Sequence, residues 1–547
     1  MPTVTLNRKV VDSLIGKKFP TEVLKEKISL LGTDLEKVDD KEIVVEIFPN
    51  RPDLLSEQGF ARALSSFLGI KKGLAKFVVK KSDIKVIVDK NVEKIRPYTV
   101  CAVIKDMKFD DEKIREIMQI QEKLHVTLCR NRRKIAIGIY PLDKIVSPIY
   151  FKALKPAEIQ FQPLESKRSM NAFQILKDHP KGKEFAHLLD KLPMYAVFED
   201  SKKQILSLTP IINSEIVGKV TFQSKNLFIE TSGYDLETQK ICLNIIVTAL
   251  AEMGGSIYSV EIDYTGKKIT TPDLTPVKMN LDEKTINKIL GLNLSKKQMI
   301  ELLSKMGFGN EGDSLLIPAY RKDIMHQVDL AEDLAIAYGY DNFTSEIPKI
   351  ATTAKQFPIT NFKKSLASLL IGLNLLETHT TILTNETILM KKTNYETDAI
   401  ELENPKTRDN GLIRTWLLPS LLDVLSRNKH REYPQNIFEI GPIGLKGNSE
   451  TGTQEKEMLS CLLSSTGTDF TRIKQILDYL IKNLDLTYGI EETEHPSFIP
   501  GRVGKILVKN KSIGFIGEVH PQVLSNFELE MPVAAFELDI TELCKMI

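Results

Sequence analysis

The sequence predicts an α+β protein built from several domains. Three observations carry that reading. The 547 residues, at about 150 per domain, make three to four domains. Hydrophobic residues at 42% and charged residues at 27% give the balance of a folded chain rather than a disordered one. Short β-branched runs alternate with helical stretches along most of the length.

The first domain, 1–80, opens on a strand-like TVTL, followed by helical patterns through VVDSLIG and EVLKEKISLLG. In EIFPNRPDLLSEQGFARAL, Pro49 and Pro52 mark a turn. Asp53 is placed to cap a helix whose apolar positions are Leu55, Phe60, Ala63, Leu64 and Phe67. The lysine run from Lys71 to Lys81 reads as a linker. Residues 82–268 form an α+β domain in which IKVIVD, YTVCAVI, KIAIGIY, YAVFED and NLFIET are strands, and EKIREIMQIQEKLH and DLETQKICLNIIVTALAEMGG are helices. Residues 270–347 form a small unit. Ser295 and Gln298 make a capping box there, Met299, Leu302, Leu303 and Met306 give an apolar stripe, and Gly307 ends the helix. From 350 to 547, strands and helices alternate behind a helix through FKKSLASLLIGL.

Composition excludes several classes. A net charge of +2 confines any nucleic-acid contact to a local patch. Five cysteines with no CxxC pair argue against a disulfide framework and a cysteine-rich zinc site. The N-terminus lacks the apolar stretch of a signal peptide, and no apolar run reaches the roughly 18 residues of a membrane span. The expectation is a cytoplasmic protein with no membrane contact.

Gly307, Gly309 and Gly312 spell G-x-G-x-x-G. A dinucleotide site needs a strand before those glycines and a helix after them. The order here is reversed, so the segment reads as a helix end and a hairpin-like loop.

Three segments carry candidate chemistry. In PAYRKDIMHQVDLAEDLAIAYGYDN, Asp329, Glu332 and Asp333 share one helical face, and Asp323 lies six residues upstream. Four converging carboxylates call for a cation, and all-oxygen ligands suit Mg²⁺. An acidic first helical turn favoured by the helix dipole is the alternative. Arg130, Arg132, Arg133 and Lys134 either grip phosphates or line a solvated loop. Asn213, Ser214 and Asp235 border apolar strands, as pocket-lining groups or as turn and cap residues. The single tryptophan, Trp416, reads as core.

These residues bring a family into view. PAYRKDIMHQVDLAEDLAIAYGYDN resembles the B5-domain signature of phenylalanyl-tRNA synthetase β subunits. EIFPNRPDLLSEQGFARAL is similar to their N-terminal signature, and RRKIAIGIY and PIINSE to segments of their B3/B4 domain. ENPKTRDNGLIRTWLLPSLLDVLSRNKH and HPSFIPGR resemble their C-terminal synthetase-like domain. The compact length points to the archaeal and eukaryotic branch. Departures from the pattern fall at Cys129, Pro141 and Asn374.

The resemblance implies an N-terminal domain, a B3/B4 editing domain, a B5 domain and a catalytically inactive class II synthetase-like antiparallel-sheet domain. It implies a phenylalanine–tRNA ligase in which an α subunit holds the aminoacylation site, takes ATP and phenylalanine, and joins this chain in an (αβ)₂ heterotetramer acting on tRNA(Phe). It implies Mg²⁺ on Asp323, Asp329, Glu332 and Asp333, and hydrolysis of mischarged Tyr-tRNA(Phe) near Asn213, Ser214 and Asp235. A free-standing deacylase and a non-catalytic RNA-binding scaffold are the alternatives.

Overall fold

The computed structural model describes residues 2–547. The chain divides into two compact units, one ending at Ile347 and the other spanning Pro348–Ile547.

The first unit holds three larger sheets and one short two-stranded pair, Gln160–Phe161 with Met170–Asn171. Thr3–Asn7, Glu42–Glu46 and Asp34–Val38 form an antiparallel three-stranded sheet with Glu42–Glu46 in the middle. Val4, Leu6, Ile43 and Val45 point inward at alternate positions. The next helix, Glu57–Phe67, is capped by Ser56, whose side chain accepts from Gly59 N–H. Asp53, expected in that role, instead takes two hydrogen bonds from Arg51 at 2.9 and 2.8 Å. A buried carboxylate is better satisfied by a bidentate guanidinium than by one backbone amide.

A ten-stranded sheet follows. Its order is Ile212–Asn213, Ile205–Leu208, Tyr195–Glu199, Ile149–Leu154, Val79–Val88, Ser256–Tyr264, Tyr98–Lys105, Leu227–Gly233 and Ile135–Pro141, with Lys267–Thr271 paired to Ser256–Tyr264. All five expected strand runs lie in it. Val79–Val88 pairs parallel to both of its neighbours, so Lys80 and Lys81 belong to a strand and not to a linker. Helix Leu236–Glu252 is buried from Cys242 to Leu250 and lies on this sheet. The third sheet, Val277–Asn280, Ser314–Ile317 and Gly309–Glu311, packs with helices Glu283–Leu290, Lys296–Lys305 and Gln327–Tyr338. The capping box at Ser295 and Gln298 is formed. Gly307 takes φ 86° after the helix, and a hairpin follows in place of a nucleotide loop. One continuous apolar core runs through all three sheets, from Val4 to Ala337.

In the second unit a seven-stranded sheet runs Leu376–Glu377, Gln435–Lys446, Thr453–Ser464, Val533–Asp539, Lys511–Val519, Phe498–Val508 and Tyr488–Glu492. It is antiparallel except at its two-residue first strand. Period-two alternation divides its side chains between two cores. Phe438, Cys461 and Phe536 face helices Pro358–Gly372 and Phe470–Asn483, while Ile437, Leu462 and Ala535 face helix Leu418–Asn428. Trp416 is buried in the latter core, as its sequence context predicts. Asn374 takes the left-handed turn, φ 63°, that ends the first helix, a conformation asparagine tolerates. Among the described residues no helix is long and apolar enough to cross a membrane, and all five cysteines are free.

Candidate functional site

A groove of about 580 Å³ opens on the first unit, with strands Ile135–Pro141, Ile205–Leu208 and Leu227–Gly233 contributing to its lining. Its floor is set by strand register. Glu230 stands directly opposite Gly138 on one neighbour and Cys101 on the other. A Cβ on Gly138 would lie 2.4 Å from Glu230 Oε1 and 2.3 Å from Tyr140 Oη, so only glycine leaves room for both groups.

Glu230 is 2% exposed. Tyr140 Oη donates toward its Oε1 at 3.2 Å and toward Ser207 Oγ at 2.8 Å, while Oε2 has no partner. Burial outweighs the attraction of Arg96 and pushes the Glu230 carboxyl up to about 8. At neutral pH it is protonated and able to donate. Burial also lifts the Tyr140 hydroxyl well above its ordinary range. Ser207 Oγ lies 3.4 Å from Thr209 Oγ1. His125 Nε2 accepts from Ile137 N–H at 2.9 Å. Burial, aided by Arg132 and Arg96, holds that imidazole well below its usual pKa and therefore neutral. Around this polar floor stand Ala136, Ile137, Leu208, Ile211 and Ile212. Charged groups, among them Glu122, Glu165, Lys181 and Glu184, line the rest of the groove. The apolar patch beside the neutral carboxyl and the Ser207 hydroxyl is therefore the part that suits an aromatic ring carrying a hydroxyl.

Of the three residues expected here, the structure brings one. Asn213 lines the groove. Ser214 is buried and caps the short helix Glu215–Gly218 by accepting from Ile216 N–H at 3.3 Å. Asp235 caps helix Leu236–Glu252, accepting from Thr238 N–H at 3.3 Å and Thr238 Oγ1 at 2.5 Å, and pairs with Lys134 at 3.0 Å. These bonds hold its carboxyl well below the usual range, and it lies outside the groove lining. Glu230, Tyr140 and Ser207 were not singled out from the sequence. The available signal was a lone carboxylate within the apolar strand LFIETSG.

The acidic corner is arranged differently from the expectation. Arg321, 1% exposed in its side chain, donates to Asp323 at 2.8 and 2.6 Å and to Asp333 at 2.8 Å. Asp329 Oδ2 accepts from the backbone N–H of Met325 and His326, each at 2.7 Å. Glu332 is exposed, its carboxyl raised by desolvation and then by Asp333, Asp323 and Asp329. The four are neighbours, yet a guanidinium fills the place expected for a cation. Among the described residues no such group is arranged to hold a metal ion. As placed, the four do not fit Mg²⁺ unaided. Chelator is therefore expected to leave the Tm of the chain unchanged, and a shift of several degrees with millimolar Mg²⁺ would show a resident ion.

Comparison with known proteins adds to this geometry. The family model described as the phenylalanyl-tRNA synthetase beta chain CLM domain matches residues 344–540, and that of the tRNA synthetase B5 domain matches 279–340. The chain is 42% identical to a phenylalanine–tRNA ligase beta subunit of Pyrococcus horikoshii, across 98% of this chain and 99% of the relative. It is 39% identical to that of Archaeoglobus fulgidus, across 99% and 98%. A crystal structure of an N-terminal fragment of the Pyrococcus horikoshii phenylalanyl-tRNA synthetase beta subunit is similar at a TM-score of 0.59 and 40% identity. It covers 62% of this chain and 99% of the fragment.

Proposed function

The chain belongs to the phenylalanine–tRNA ligase β-subunit family, and from that premise we propose that its groove proofreads, hydrolysing tyrosine esterified to tRNA(Phe). The chain serves the ligase as its β subunit, supporting ATP-dependent attachment of phenylalanine to tRNA(Phe) by an α subunit that holds the aminoacylation site. The complex is an (αβ)₂ heterotetramer of the cytoplasm. The exposed Phe357, Ile371 and Leu376 of the second unit supply apolar surface of the kind a lasting partner covers.

The observation that carries proofreading is the buried Glu230 in the groove lining, its Oε2 without a hydrogen-bond partner. A phenylalanine pocket gains little power to reject a ring that adds one hydroxyl, so a second site that bonds the hydroxyl does the sorting. The tyrosine phenol bonds Glu230. A phenylalanine ring would leave Glu230 Oε2 buried and unpaired, costing about 1–3 kcal/mol. Ser207 Oγ bonds Tyr140 and Thr209, neither of them a base, so a water is the nucleophile. Its oxygen adds to the ester carbonyl, the bond to the ribose oxygen breaks, and that oxygen takes the proton.

The test is hydrolysis of Tyr-tRNA(Phe) and Phe-tRNA(Phe) by the αβ complex. The tyrosyl ester is expected to be favoured about ten- to a hundredfold in kcat/KM. Equal rates, or no hydrolysis of either, would sink the proofreading role.

A further inference from the structure

Between helix Asp111–Val126 and strand Ile135–Pro141 the chain makes an unusual turn. Arg130, Asn131 and Arg132 have φ of 50°, 52° and 65°, three successive non-glycine residues in the left-handed region. Asparagine tolerates that conformation, whereas arginine is strained in it, and such strain persists only where the surroundings over-determine it. Here Arg132 does so. Its Nη1 donates to Pro210 O at 3.2 Å and Ile211 O at 2.7 Å, and its guanidinium sits 4.3 Å from the Phe185 ring centroid. The turn is thereby fastened to residues that line the groove.

The effect is to hold Arg130, Asn131 and Arg133 out to solvent. More positive charge adjoins them. Lys134 pairs with Asp235 at 3.0 Å and Lys322 donates to Thr238 at 2.5 Å. Lys322 is kept below its usual pKa by burial, then by Lys134 and Arg130. Asp235 answers Lys134 at 3.0 Å, while Glu184 and Glu122 act on Arg132 from the groove side. Next to the cations stands Tyr234, half exposed, with the buried Arg96 guanidinium 5.5 Å from its ring centroid. Tyr234, Arg132 and Arg133 line a small cavity of about 70 Å³. Arg132, Arg133, Thr209 and Pro210 line that cavity and the groove alike. An exposed aromatic face amid arginines fits single-stranded nucleic acid, with the ring stacking a base and the guanidinium groups taking phosphates.

We infer that Tyr234 and the strained turn Arg130–Arg133 form a track for a single-stranded RNA end, which delivers the terminal ester into the groove. This rests on the proofreading reading for its destination, though not for RNA binding itself. The crowding of cations and the strain in the turn then have one cause. The backbone is held so that two arginines reach outward while a third locks the groove rim.

The test pairs two measurements on the unaltered chain, Tyr234→Ala, Tyr234→Phe and the double variant Arg130→Ala/Arg133→Ala. The first is affinity of the full chain for a short single-stranded RNA across a salt series. The second is hydrolysis of Tyr-tRNA(Phe) by each αβ complex. Tyr234→Ala is expected to weaken RNA binding and raise KM about tenfold, with kcat within about twofold, and Tyr234→Phe to restore both. The double variant is expected to lose about 0.7 from the log–log salt slope for each phosphate contact. RNA binding that is absent in the unaltered chain, or equal in all variants, would overturn the track even where hydrolysis persists. Binding that responds to the variants without any hydrolysis would uphold the track and overturn proofreading.

Discussion

Glu230→Ala is expected to cut Tyr-tRNA(Phe) hydrolysis by the αβ complex about a hundredfold in kcat/KM, equivalent to roughly 2.7 kcal/mol of transition-state stabilisation. The loss falls on the tyrosyl ester because only its phenol meets the carboxyl. Glu230→Gln keeps a donor and an acceptor and is expected to stay within about tenfold. A Gln variant as inactive as the Ala variant would assign Glu230 a different task. The raised carboxyl also leaves a pH signature. Its folded pKa of about 8 exceeds the ordinary 4.5, so its contribution to stability is complete below about 4.5 and is lost as pH rises through about 8. Between those limits the unaltered chain should lose stability with pH faster than Glu230→Gln, by at most roughly 1.4 kcal/mol per pH unit. Parallel Tm curves for the two would refute a neutral Glu230. Asp235→Ala serves as the control, costing about 1 kcal/mol as a lost helix cap with hydrolysis retained.

Arg321→Ala is expected to destabilise the first unit by about 3–5 kcal/mol, the usual effect of breaking a buried ion pair from one side. Two carboxylates depend on that guanidinium, Asp323 and Asp333, and burial already raises Asp333. Without Arg321 the Asp333 carboxyl would sit still further above its unfolded pKa. The deficit should therefore shrink toward acid and grow as pH rises. The substitution also vacates a cation's place among four neighbouring carboxylates. Millimolar Mg²⁺ should then raise the Tm of the variant while leaving the unaltered chain unmoved. A loss under about 1 kcal/mol in denaturant titration would show that the pair is dispensable.

Local signals in the sequence were easy to read. The Ser295–Gln298 box, the helix end at Gly307 and the β-branched runs of the ten-stranded sheet depend on neighbours within a few positions. Of the groove lining, the sequence singled out Asn213, Arg132 and Arg133; its polar floor was not legible, because it depends on pairing between distant strands. A lone glutamate in a strand usually faces water. Glu230 faces inward because its register sets Gly138 opposite and Tyr140 beside it, and no local pattern records that register. Asp235 and Ser214 show the converse. Short polar residues ahead of a helix read equally as pocket or cap, and both proved to be caps. At the acidic corner the arginine was in view two residues before Asp323, but the fold of its side chain back over Asp323 and Asp333 was not.

The parallel strand Val79–Val88 has a consequence for how the protein is made. One of its two partners is Ser256–Tyr264, so that side stays open until the ribosome has delivered residue 264. At roughly 5–20 residues per second, the nascent strand waits on the order of ten seconds or more with an unpaired edge, a template for aggregation. Lys80, Lys81, Asp83 and Lys85 lie along it, and charges on a waiting edge discourage intermolecular pairing. The lysines that resemble a linker act in this interval as gatekeepers of the growing chain.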